Sequence, residues 1–157
     1  MTKEPAVTTE PVVTKRPAAS NGPAATKPVV NKVVLAIAGL VAVVIGGALL
    51  FVPVGFHELS GLTAATDPGN VSEVRAGGAA VLIAGAVIMR GAFKPTLTRF
   101  AALVGTGFFL AYGVGRLIGI VADGLPPSGI VTAMVSELVL GVACASVVAR
   151  TRDRAPV

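Results

Sequence analysis

Residues 33–56 carry no charge, and nearly all of them are apolar. A helix of about 20 apolar residues crosses a ~30 Å hydrocarbon core, so this run predicts a first span. Three similar runs follow at 68–89, 100–122 and 130–149, separated by polar or basic breaks. Asp67-Pro68 marks the start of the second, with Asp as the cap and Pro at the first helical position. Pro95 interrupts the basic turn before the third. The expected fold is all-α: an integral membrane four-helix bundle over residues 32–150.

Residues 1–31 are a different material. Pro5, Pro11, Pro17, Pro23 and Pro28 recur among Thr, Ala and Lys in a loose repeat. Proline at this density blocks helix and strand, and the residues between supply no core. A disordered tail with polyproline II character is expected there, and a short basic tail at 151–157. The first apolar run begins only after Lys32 and is too long for the core of a signal peptide.

Composition sharpens this picture. Charged residues make up 13% of the chain, about half the share of a soluble domain, so the apolar runs have no polar surface to offset them. A net charge of +5 would suggest nucleic acid in a soluble protein. Here the positions of the charges decide otherwise. Every Lys and Arg except Arg75 and Arg116 lies in the N-terminal stretch, the turn at 90–99 or the C-terminus, while the opposite breaks hold Glu58, Asp67 and Asp123. The positive-inside rule then places both termini in the cytoplasm, in a multi-pass protein of the inner (plasma) membrane. The expected partners are the lipid bilayer, other membrane proteins or a second copy, and not nucleic acid. Cys144 is the only cysteine, so no intrachain disulfide forms. The chain lacks a glycine-rich phosphate loop, a histidine constellation, a Ser–His pair and a CxxC, so no catalytic residue, metal or cofactor is expected.

Arg116 is the anomaly, because a charge well inside an apolar helix needs a partner. It lies seven residues before Asp123, about 10 Å from that end of its helix. Glu137 lies equally far into the next, antiparallel run. Arg75 and Glu73 reach a similar depth if their helix starts at Pro68. These four, with Asp123 above and Tyr112 one turn deeper, are expected to form a buried polar cluster in the outer half of the bundle. The cluster is either a structural ion-pair network or a site for a ligand or a proton. Gly77, Gly78, Gly115, Gly119 and Gly141 are expected to let neighbouring helices approach closely. His57 reads as an interfacial or capping residue, and Cys144, Phe108 and Phe109 as packing or lipid-facing residues.

Four separated pieces, Glu73-Val-Arg75-Ala-Gly-Gly, Gly115-Arg116-Leu-Ile-Gly119, Asp123-Gly124-Leu-Pro126 and Glu137-Leu, occur in order. In these the chain resembles the small bacterial four-helix membrane family called domain of unknown function 4345, over about residues 33–150. The resemblance implies a four-helix integral membrane protein with no established activity. Two functions are therefore expected: a non-enzymatic accessory or structural protein that associates laterally in the membrane, or a small transporter, proton pathway or lipid-binding protein that uses the charged cluster.

Overall fold

The computed structural model describes residues 26–63 and 66–152, with side chains from Pro28 onward. Five α-helices and one 3-10 turn follow in order: α1 (Thr26–Phe51), α2 (Pro53–Leu59), α3 (Pro68–Phe93), the turn (Pro95–Leu97), α4 (Thr98–Asp123) and α5 (Ser128–Arg152). Four are long and apolar enough to cross a membrane, with mean hydropathy from 1.6 to 2.8 over their most apolar stretches.

Two features correct the expected layout. First, α1 begins at Thr26, so residues 26–31 are helical rather than part of a tail; residues 1–25 and 153–157 lie outside the described residues. Pro28 is tolerated because it falls in the first turn, where its missing N–H has no helical partner to lose. Second, among the described residues a short fifth α-helix accompanies the four long ones. The apolar run read as one span to residue 56 is broken at Val52, whose φ of −132° and ψ of 54° leave the helical region before Pro53. The chain restarts as α2. It ends in a glycine cap: Gly61, at φ 79°, donates to the Glu58 carbonyl, and Leu62 donates to the His57 carbonyl, both at 3.0 Å.

The start of α3 is fixed locally. Asp67 accepts from the Asn70 backbone N–H at 3.0 Å, and its other carboxylate oxygen accepts from the Asn70 side-chain amide. These bonds, the backbone one foremost, hold the Asp67 carboxyl below its ordinary range. The α3–α4 turn is tied by Thr98, whose hydroxyl donates to the Gly91 carbonyl at 3.0 Å.

The long helices form two antiparallel hairpins. In α1–α3, glycines alternate between the partners. A Cβ placed on Gly39 would sit 2.6 Å from the Met89 nitrogen, one on Gly85 2.6 Å from the Val43 nitrogen, and one on Gly78 2.7 Å from the Leu50 nitrogen. Gly46 against the Leu82 backbone continues the series. No side chain separates the two helices at these points. The α4–α5 hairpin uses Gly113 against Leu138, Gly141 against Leu110 and Gly105 against Cys144. Gly78 and Gly141 thus pack as expected. Gly77, Gly115 and Gly119 do not, since a Cβ on any of them would meet nothing within 4 Å.

The hairpins join unevenly. Helix α3 packs on α4, while α1 meets α4 and α5 only sparingly. The shared core, including Leu35, Ile88, Ala101, Cys144 and Val147, lies toward the end of the bundle that carries the chain termini. Toward the other end the hairpins stand apart around a cleft, and they meet again where the Ser60 backbone packs on Gly129 and Gly61 on Pro127.

Candidate functional site

The cleft between the hairpins has a volume of about 760 Å³. One wall is the apolar face of α1, formed by Val41, Ala42, Ile45 and Leu49. The facing wall is built by α4 and α5, and Phe56 and His57 of α2, with Ser60 just after it, line its end. The walls are mainly hydrocarbon, with polar groups gathered toward the loops, a pattern typical of ligand pockets.

Arg116 and Glu137 line this cleft. Arg116 projects from α4 and Glu137 from α5, and the guanidinium Nε donates to both carboxylate oxygens, at 2.9 Å to Oε2 and 3.2 Å to Oε1. The guanidinium side chain is 29% exposed and the carboxylate side chain 15%. The pair is therefore half-buried, with the cation the more open partner.

The expected cluster of five charges is not formed. Arg75 is exposed, and its Nη1 donates to the Leu50 carbonyl at 2.9 Å, where it satisfies one of the orphan acceptors at the C-terminal end of α1. Glu73 and Asp123 are exposed and make no ion pair among the described residues. The depth argument holds for Arg116 and Glu137 because their helices are direct antiparallel neighbours. It fails for Arg75 and Glu73 because they lie on the first turns of α3, which contribute no residue to the cleft; α3 reaches it only farther along, at Val81. Tyr112 does reach the cleft, with its ring tilted against Phe108 at 4.9 Å. Phe109 is buried in the core, and Phe108 lines the cleft.

His57 gains a place in the site that its sequence position did not suggest. The signal was the Pro53-led segment, which re-forms a short helix and turns Phe56 and His57 toward the opening. Three hydroxyls also line the cleft: Ser60, Thr132 and Ser136. Each donates to a carbonyl one turn back on its own helix, at 2.8 to 2.9 Å, so each presents only oxygen lone pairs to the cleft. No group of three or more His, Cys, Asp or Glu side chains able to hold a metal occurs among the described residues.

Residues 30–148, which hold every cleft residue named above, match the model of the domain of unknown function 4345 family. The chain belongs to that family. No curated protein and no solved structure matches it. In this member of the family, the matched region runs from the first turns of α1 to near the end of α5 and includes the whole Arg116–Glu137 pair.

Proposed function

We propose that the protein is an integral membrane protein that binds an amphiphile in the cleft between its two hairpins. The observation that carries the reading is the cleft itself: a hydrocarbon-walled space of about 760 Å³ with a single ion pair set into its wall. Such a space offers an apolar chain a lining and a polar head a fixed partner.

Membrane residence is supported by the outer surface. Large apolar side chains are exposed on all four long helices, among them Leu40, Ile83, Ile118 and Val142. In water, continuous apolar patches on this scale are not sustained. Most charges separate along the axis: Lys32, Arg90, Lys94, Arg99, Arg150 and Arg152 belong to one end, and Glu58, Asp67, Glu73 and Asp123 to the other, where Arg75 and Arg116 are the basic exceptions. By the positive-inside rule the basic end is cytoplasmic, which puts the cleft in the outer half.

Binding is favoured over proton conduction because the inner walls of the cleft are Val41, Phe108 and Leu140, and a proton path needs a chain of polar groups. The test is binding of a fluorescent fatty-acid analogue by the protein in lipid nanodiscs. Ala133 lines the cleft, and Ala133→Phe should fill part of it and weaken binding at least ~10-fold, as loss of a well-fitted apolar contact does. Equal binding by wild type and variant would refute the reading.

A second reading, lateral association with other membrane proteins or itself, has one observation in its favour. Gly107, Gly115 and Gly119 of α4 all lie open, on the outer side of the bundle. Small residues in this spacing suit close helix approach.

A further inference from the structure

The cleft reading leaves open what kind of head group the site accepts. We propose that it is an anion, a carboxylate or a phosphate carried on a single-chain amphiphile, and that Arg116 is the group that holds it. This rests on the reading of the cleft as an amphiphile site.

The argument starts from which hydrogen-bonding capacity is already used. Glu137 is engaged through both its oxygens, and both take the same donor, Nε of Arg116. The two terminal nitrogens of Arg116 make no hydrogen bond among the described residues. Nε carries one of the five N–H groups of a guanidinium, so four are left. The unused edge is a planar fork whose spacing matches two oxygens of a carboxylate or phosphate. Glu137, by binding at Nε, fixes the plane of that fork without covering it.

The rest of the lining agrees. Among the described residues that line the cleft, Glu137 is the only carboxylate, so none of them sets a second negative charge against an entering anion. Tyr112 and His57 line the same space and bring further N–H or O–H groups. A cationic head would have to compete with Arg116 for a carboxylate already satisfied. The size of the cleft limits the tail. About 760 Å³ lies within the range of pockets that enclose drug-sized molecules, which suits one chain with a compact head.

The experiment compares four ligands with one chain length, dodecanoate, dodecyl phosphate, dodecanol and dodecylamine, together with inorganic phosphate. Each displaces the fluorescent analogue from the full-length protein in phosphatidylcholine nanodiscs. The expected result is that the two anions bind at least ~10-fold more tightly than dodecanol, as a charge-assisted pair of hydrogen bonds in a half-buried site implies. Arg116→Lys keeps the charge but removes the fork, and should erase most of this preference. The wild-type comparison stands even if that variant folds poorly. Dodecanol binding as well as dodecanoate, or dodecylamine binding best, overturns the anion inference. If Ala133→Phe still abolishes that binding, the cleft reading survives it. Inorganic phosphate competing as well as dodecyl phosphate overturns the assignment to an amphiphile. Failure of every ligand to compete overturns the cleft reading as well.

Discussion

Nε of Arg116 on α4 lies 2.9 Å from Oε2 of Glu137 on α5, across a close contact between two antiparallel helices. Gly113 makes that contact close. A Cβ there would lie 2.6 Å from Leu138, one residue beyond Glu137. Removing one partner leaves the other charge in a low-dielectric wall. The cost lies between that of an exposed pair and that of a fully buried one, about 1–3 kcal/mol. Arg116→Ala should destabilise the protein by that amount in denaturant titrations in detergent, and adding Glu137→Gln should restore about half. A double variant no more stable than Arg116→Ala would mean that the two side chains do not depend on each other.

Arg75 provides the contrast. Its guanidinium is exposed and bonds only the Leu50 carbonyl, so Arg75→Gln removes one hydrogen bond at the end of α1. The expected cost is at most about 1 kcal/mol, with no change in ligand affinity at the cleft. A loss as large as that of Arg116→Ala would reinstate Arg75 as part of the cleft's charge network.

The difference between these two arginines marks how far the sequence could be read. Depth was legible, because counting 1.5 Å per residue from a loop places a side chain along the helix axis. That placed Arg116 and Glu137 together. Direction around the axis was not legible. Helices that are apolar on every side carry no polar stripe to tell inside from outside, so counting along the helix could not show that Glu73 and Arg75 are exposed. The same ambiguity misled the reading of Gly115 and Gly119, whose spacing implies a close helix neighbour without saying on which side. The cleft itself was not legible, because it arises from two hairpins that each pack tightly and then meet mainly along α3 and α4, with α1 touching α4 and α5 only sparingly.

The α1–α3 hairpin sets up a sharp comparison among glycines. Gly85 has the Val43 nitrogen 2.6 Å from where its Cβ would sit, a backbone atom that cannot rotate away. Gly85→Ala should therefore cost about 1–3 kcal/mol through overpacking. Gly115→Ala meets nothing within 4 Å and should be neutral, or stabilising by up to about 1 kcal/mol through helix propensity. Thermal unfolding of both variants in the same detergent checks the ranking. Equal losses would mean that Gly115 has a neighbour in the folded protein, as lateral association requires.

Orientation can be tested with a background that the fold itself provides. Cys144 is fully buried, and a Cβ on Gly105 would sit 2.8 Å from its sulfur, so it should resist aqueous maleimide until the protein is unfolded. Single cysteines introduced at exposed positions therefore report without removing it. Ser128 opens α5 at the acidic end, and Thr96 lies in the basic turn between α3 and α4. With the basic end in the cytoplasm, Ser128→Cys labels from outside intact cells, and Thr96→Cys labels only after the membrane is permeabilised. Labelling of Thr96→Cys alone in intact cells would invert the protein, and the cleft would then open toward the cytoplasmic leaflet.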